Sequence, residues 1–170
     1  MSKSLQIVES ICEWNAERCV RKYNTSFMLD LLHEEVGELR KAMHENDLVE
    51  ILDAWGDIFY LAVGGMWKLG ETPTTIHGGI TCKAMFAYTK DIDMYLENLK
   101  LEAPLRNLIG IAEVAFMALT QYAGSEAKAI GILQAICMSN DTKPKGISTE
   151  LKIQKDEKYV APTEDIKSII

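Results

Sequence analysis

Apolar residues recur three or four positions apart along most of the chain, from Ser4 to about Met138. This spacing places them on one face of an α-helix. Glycine, proline and short polar residues interrupt it where helices start and stop. No alternating pattern typical of β-strands occurs before Asn140, so we predict an all-α antiparallel bundle of about five to six helices. The approximate bounds are 4–22, 26–44, 47–69, 81–99, 104–122 and 126–138.

The segments outside these helices have a different composition. Residues 74–80 are predicted to be irregular because two adjacent glycines interrupt them. Over 140–170 lysine, threonine, aspartate, glycine and proline become frequent, which predicts an irregular basic tail with room for a short strand pair around 150–159. We therefore predict one helical domain over 1–139, followed by a tail that contacts substrate or a partner.

Composition and charge are those of an ordinary globular protein. Of the 170 residues, 48% are hydrophobic and 25% are charged, which suits one domain with a core that needs no disulfides. The net charge of −7 and the pI near 5.0 argue against nucleic-acid binding. No export signal or membrane-spanning segment is evident, and the four cysteines form no CxxC pair. We therefore expect a protein of the reducing cytoplasm without a membrane partner.

Three glutamates form a compact acidic cluster on the second predicted helix. Successive helical residues rotate by about 100°, so Glu34 and Glu38 lie roughly 40° apart and Glu35 lies about 100° from Glu34. Leu32 and Val36 belong to the adjoining apolar arc. The acidic side chains are therefore expected at the margin of the core.

A second acidic cluster follows on the third predicted helix, where Glu50, Asp53 and Asp57 fall within an arc of roughly 60°. The short connection between the two helices predicts antiparallel packing, so the two acidic arcs can face each other. Converging like charges repel, and they need a counter-charge. A hard divalent cation such as Mg²⁺ or Mn²⁺ takes oxygen ligands and commonly shares its shell with substrate phosphates.

An acidic helix also has a simpler interpretation, since an EExxE string by itself often marks a solvated helix surface. The alternative hypothesis is a non-catalytic helical interaction or regulatory protein whose acidic face binds a cation. Two matched clusters on consecutive helices, each beside a strongly apolar arc, favour the catalytic interpretation.

The clusters resemble the signature of the all-α nucleoside triphosphate pyrophosphohydrolase superfamily, which includes MazG-like proteins, dimeric dUTPases and phosphoribosyl-ATP pyrophosphohydrolases. Its EExxE motif matches residues 34–38, and its ExxD motif can be read from Glu50 to Asp53. Aligning that motif to Asp57 instead would leave Ala54 where glutamate belongs. The DxxxD-plus-aromatic string resembles phage-type members, so all three acids of this helix remain candidate ligands.

The resemblance covers about 5–69 well and resumes weakly at 139–143 and at Lys158-Tyr159. Residues 70–124 look like a helical insertion. Superfamily members assemble as dimers or tetramers, so a homodimer or homotetramer is expected. The extra helices over 81–122 either replace part of a partner subunit or build a different interface.

What the resemblance implies is hydrolysis of a nucleoside triphosphate, or a related nucleotide, to the monophosphate and pyrophosphate. The implied Mg²⁺ ligands, with Mn²⁺ as the possible substitute, are Glu35, Glu38, Asp53 and Asp57, with Glu50 as an alternative. Glu34 is the implied catalytic residue, which orients or deprotonates water. The remaining candidates bind substrate: Lys143 and Lys158 neutralise phosphate, Trp14 stacks on the base and Asn15 hydrogen-bonds it. The simpler interpretation is that the lysines are solvated and Trp14 belongs to the core.

Overall fold

The computed structural model of the protein describes residues 2–80, 88–101, 103–145 and 156–170. These ranges contain eight α-helices and no strand, which confirms the predicted all-α class. Taken singly, none of the described helices is long and apolar enough to cross a membrane. The helices are α1 (Lys3–Arg18), α2 (Thr25–Glu45), α3 (Leu48–Lys68), α4 (Pro73–Ile80), α5 (Tyr88–Leu101), α6 (Pro104–Ala123), α7 (Glu126–Asp141) and α8 (Thr163–Ile169).

Polar side chains cap the first three helices and set their boundaries. Asn24 accepts a hydrogen bond from the main-chain N–H of Phe27, so α2 starts one residue earlier than predicted. Asp47 accepts from two main-chain N–H groups at the start of α3. Asn46 ends α2 in the left-handed conformation, with φ of 56°. This residue allows the chain to reverse between α2 and α3 within two residues.

Helix α3 is the centre of the molecule and packs against α1, α2, α4, α6, α7 and α8. A helix surrounded in this way is apolar around most of its circumference. Its fully buried side chains include Leu52, Trp55, Ile58, Ala62, Val63 and Met66. The half-buried Asp53 and Asp57 are therefore exceptions on an otherwise buried helix.

Helix α6 belongs to the same core, although its residues lie in the segment that resembles an insertion. Leu108, Ile111 and Ala115 are fully buried. Leu108 approaches α3 at Gly65, where an added Cβ atom would lie 3.0 Å from the Leu108 side chain. Because Gly65 has no side chain, α6 can pack closely against α3 at this point.

Two predictions about irregular segments were wrong. Residues 73–80 form α4, because Pro73 suits the first turn and Ile76 is buried against the core. The tail contains α8, whose Ile166 is fully buried and which packs on α3 and α7. Both helices are too short for an apolar period to be visible in the sequence.

The remaining sequence predictions are met in part. Helix α1 ends at Arg18 and not near residue 22, because Cys19 is extended. The first part of the predicted helix 81–99 and most of the possible strand pair at 150–159 lie outside the described residues. In the described part of that strand pair the main chain forms a turn, in which the Tyr159 N–H donates to Asp156 O at 3.1 Å.

The contact between α5 and α6 gives a stability prediction. An alanine Cβ at Gly110 would overlap the Tyr95 ring, which is rigid and cannot bend away at one end. We expect Gly110→Ala to lower the free energy of unfolding by about 1–3 kcal/mol, measured by urea denaturation.

The matched control is Gly37→Ala on α2, where nothing lies within 4 Å of the added atom. We expect this change to stabilise the protein by about 0.5–1 kcal/mol, because alanine favours the helix over glycine. An unchanged free energy of unfolding in Gly110→Ala would show that α5 and α6 are not in close contact.

Candidate active site

The acidic residues of α2 lie along the edge of the core, as predicted. Leu32, Val36 and Leu39 are buried beneath them. Glu35 is half-buried, whereas Glu34 and Glu38 are exposed. The three glutamates therefore share one helix but differ in their contact with solvent.

The acidic residues of α3 separate into two groups. Asp53 and Asp57 are half-buried one turn apart, and Glu50 is exposed in the first turn. Glu50 faces the last helix: Glu164 raises the pKa of Lys167, and Asp47 and Glu50 add smaller contributions. Glu50 therefore lies close enough to Lys167 to influence its charge.

The donor set was compared with the needs of a divalent cation. Glu35 Oε2 on α2 and Asp53 Oδ1 on α3 are both inaccessible to solvent. All the candidate donors are carboxylate oxygens, which suit Mg²⁺. Within the described ranges, no three Asp, Glu, His or Cys side chains form a group that could hold a metal ion. The residues therefore fit the ion by chemistry but are not drawn into a closed cage.

A cavity of about 110 Å³ lies beside these acids, between α1, α2, α3 and the end of α7. Glu35 and Asp57 provide acidic groups in its lining. Trp14, Asn15 and Lys143 also line it. Five of the residues singled out from the sequence thus meet at one cavity, although Lys143 is 86 or more positions from the other four.

The other candidates lie outside the cavity lining. Glu34, Glu38 and Glu50 are exposed on their helices, and Asp53 is one turn from Asp57. Lys158 is exposed in the turn of the tail, where its main-chain N–H donates to Asp156. The structure does not bring these residues to the cavity.

The cavity also contains residues that the sequence analysis missed. Tyr60, Gly64 and Lys68 continue the stripe of Asp57 along α3 at intervals of three or four residues, so the helical period could have revealed them. Asn140, at the end of α7, lies in the stretch 139–143 where the resemblance resumes, but the sequence analysis assigned it no role. Its contribution depends on a long-range contact.

Trp14 is fixed in the cavity wall by contacts on several sides. Its Nε1–H donates to Asn140 O at 2.8 Å. Its ring meets the Tyr60 ring edge-on, with centroids 5.6 Å apart. The neighbouring Asn15 is buried, donates to Ile11 O at 2.9 Å and packs against Gly64. These two side chains are held in place before any ligand binds.

Burial controls the protonation of the groups behind this wall. It raises the pKa of Tyr60 well above its usual range, with smaller contributions from Cys137 and Asp141. It also raises the pKa of Cys137 to about 12. Both groups are neutral at physiological pH. The Tyr60 hydroxyl is buried and makes no hydrogen bond within the described part of the chain, so it can still donate to a bound ligand.

Comparison with known proteins finds a family match for one segment of the chain. Residues 13–78 match the family of phosphoribosyl-ATP pyrophosphohydrolases. This segment contains both acidic clusters and belongs to the MazG-like, phosphoribosyl-ATP pyrophosphohydrolase-like all-α superfamily. Residues 13–78 are therefore a domain of the nucleotide pyrophosphohydrolase type. Asn140 and Lys143 lie outside the matched segment.

A curated relative and the solved structures add little to this identification. The chain is 64% identical over 36 residues to "Uncharacterized protein L479" of Acanthamoeba polyphaga mimivirus. That stretch is 21% of this chain and spans only 14% of the length of the mimivirus protein. No solved structure matches the chain significantly.

The link between Trp14 and Asn140 can be tested by Trp14→Phe, which keeps an aromatic ring but removes the N–H donor. We expect the free energy of unfolding to fall by about 1–2 kcal/mol, because a part-buried carbonyl loses its hydrogen bond. Urea denaturation measures the change.

Trp67→Phe is the matched control, since Trp67 contributes its ring face to Arg21. We expect a smaller fall in the free energy of unfolding for Trp67→Phe than for Trp14→Phe. Equal losses in the two variants would mean that ring area, and not the hydrogen bond to Asn140, accounts for the effect of Trp14.

Proposed function

We propose that the protein is a Mg²⁺-dependent pyrophosphohydrolase that cleaves a nucleoside triphosphate between its α and β phosphates. One observation carries the proposal: acidic, basic, aromatic and amide side chains line the same cavity. Glu35 and Asp57 supply the acidic groups, Lys143 a cation, and Trp14 with Asn15 a surface for a base. A purely structural acidic surface has no need for this combination.

The size of the cavity suggests how the substrate lies. Sites for whole small molecules usually measure about 300–1,000 Å³, and this cavity measures about 110 Å³. It suits the base, stacked on Trp14 and hydrogen-bonded by Asn15. The triphosphate then extends past Glu35 toward the exposed Glu38.

Four carboxylates are proposed to hold Mg²⁺, or Mn²⁺ in its place: Glu35, Glu38, Asp53 and Asp57. They belong to adjacent helices, and two of them have an oxygen removed from solvent. Bound there, the ion would polarise phosphoryl oxygens and lower the pKa of the attacking water. Glu50 remains the alternative ligand, although Lys167 lies near it.

Two further roles complete the proposal. Glu34 orients or deprotonates the attacking water, and its exposure next to Glu35 keeps it open to solvent. Lys143 neutralises phosphate charge from the cavity wall, and Lys158 is the second candidate for that task from the tail. We further propose that the protein works in the cytoplasm as a homodimer or homotetramer, as its superfamily suggests.

The activity is tested by incubating the protein with a panel of nucleotides and Mg²⁺. We expect pyrophosphate, and not orthophosphate, to be released from at least one of them. Chelation by EDTA should abolish release, and Mn²⁺ should restore it. Glu35→Gln should reduce kcat/KM by about 100-fold or more, because it removes a charged oxygen ligand.

Glu97→Gln is the matched control, because Glu97 is an exposed glutamate paired with Lys100 on α5. It should leave the activity unchanged. Absence of pyrophosphate release across the whole panel would reject the proposal. Combined with no divalent ion bound by calorimetry, it would favour the alternative of a non-catalytic interaction protein.

The base-binding role of the cavity is tested at Gly64. An alanine Cβ there would lie 3.0 Å from Asn15 Nδ2, so the amide must shift by a few tenths of an ångström. We expect Gly64→Ala to raise KM for the preferred nucleotide by roughly tenfold, equivalent to about 1.4 kcal/mol, with little change in kcat. Steady-state kinetics measure both constants.

Gly79→Ala is the matched control, because its Cβ would meet Ile109 at the same 3.0 Å but away from the cavity. Its KM should equal that of the unmodified protein. An unchanged KM in Gly64→Ala would place the base elsewhere.

A further inference from the structure

Arg18, the last residue of α1, is a fully buried cation. Its Nη1 donates to Glu17 Oε2 at 2.8 Å. Its Nη2 approaches two main-chain oxygens at and just beyond the end of α7, Asp141 O at 3.4 Å and Lys143 O at 3.5 Å. Burying a charge is costly unless its surroundings compensate it. The Glu17 carboxylate provides the counter-charge, and the partial negative charge at the C-terminal end of α7 adds to it.

The same guanidinium also supports the cavity wall. Its Cζ lies 5.1 Å from the centre of the Trp14 ring, a cation–π contact one helical turn back along α1. Lys143 Nζ lies 6.0 Å from the centre of the same ring. Arg18 itself does not line the cavity, but it touches the ring of Trp14 and the main chain of Lys143, which both do.

Hydrogen bonds within the segment that Arg18 contacts, and from it to the tail, fix its local shape. Thr142 Oγ1 donates to Ser139 O at 2.7 Å, and the Lys143 N–H donates to Asn140 O at 3.1 Å. Ser139 Oγ donates to Val160 O at 2.6 Å. None of these bonds sets the segment's position relative to α1. Trp14, Glu17 and Arg18 connect the segment to α1: Trp14 donates to Asn140 O, and Glu17 Oε2 pairs with Lys145 Nζ at 3.2 Å.

We propose that Arg18 is a positioning residue: it holds the end of α7 against α1 so that Lys143 reaches the phosphate groups of the substrate. This inference rests on the proposed function. Lysine cannot replace it, because only the planar guanidinium stacks on a ring and donates to two carbonyls together.

The chain offers a matched control three residues further on. Arg21 Nε donates to Trp67 O at 2.9 Å, and its Nη2 donates to Glu71 O at 3.1 Å. Its Cζ lies 5.0 Å from the Trp67 ring. Arg21 therefore makes the same two kinds of contact at the end of α3, but neither Trp67 nor Glu71 lines the cavity.

The test is a double-variant cycle with steady-state kinetics on the nucleotide that is hydrolysed best. Arg18→Lys and Lys143→Ala should each raise KM by roughly tenfold and change kcat by less than about twofold. The KM of the double variant should be no higher than that of Lys143→Ala, because both changes remove the same contact, the one between Lys143 and phosphate. Arg21→Lys should leave KM unchanged.

A merely structural role for Arg18 predicts a different result. The two KM effects would then multiply in the double variant, or Arg21→Lys would raise KM as much as Arg18→Lys, and either result overturns the proposal. If Arg18→Lys does not fold, Glu17→Gln decides the question. Glu17 is half-exposed and binds both Arg18 Nη1 and Lys145 Nζ, so Lys145→Ala is the control that removes only the second bond. Glu17→Gln should raise KM about threefold above that of Lys145→Ala; equal KM values in these two variants overturn the proposal.

A second readout separates this proposal from the proposed function. Calorimetry measures the affinity for inorganic pyrophosphate in the presence of Mg²⁺, which needs no turnover. Arg18→Lys should weaken it by roughly tenfold and Arg21→Lys should not. If the unmodified protein binds pyrophosphate but hydrolyses no nucleotide, only the proposed function falls. Equal affinities of the unmodified protein and Arg18→Lys, or no binding by either, overturn the role of Arg18.

Discussion

The burial of α3 is the constraint on which the rest of the structure depends. Six of the described helices pack against it, so polar groups on α3 are tolerated only where the packing leaves a gap. Asp57 lies at such a gap, half-buried, where it lines the cavity together with Glu35 of α2. The stripe that runs on from Asp57 opens onto the cavity. The acidic edge and the cavity therefore have the same cause: the neighbouring helices do not cover α3 completely.

Local features of the fold and of the acidic edge could be predicted from the sequence. The spacing of apolar residues predicted the long helices. The capping residue Asp47 indicated the start of α3. Both signals lie within a few neighbouring residues, so they can be recognised from the sequence. The carboxylate arcs followed from helix geometry alone. Which of these acids reach the cavity could not be predicted, because that depends on how α2 packs on α3, and the sequence pattern does not show this. Helix α8 was not predicted, because its seven residues are too few to show an apolar period.

The cavity itself depends on contacts between distant parts of the chain. Trp14 and Asn140 are 126 positions apart, and Arg18 and Lys143 are 125 apart. No local pattern predicts such pairs. They also extend beyond the segment that matches the pyrophosphohydrolase family, which ends at residue 78. The matched segment thus holds the acids, whereas α6 and α7 complete the core and the cavity from outside it.

The long-range pairing of α1 with the end of α7 also orders events during synthesis. Helices α2 and α3 form a local hairpin, so the acidic edge can assemble once the first third of the chain has left the ribosome. The aromatic wall at Trp14 stays incomplete until residues 140–143 emerge and close against it. A nascent chain therefore carries its acidic groups before it has a pocket to hold a nucleotide.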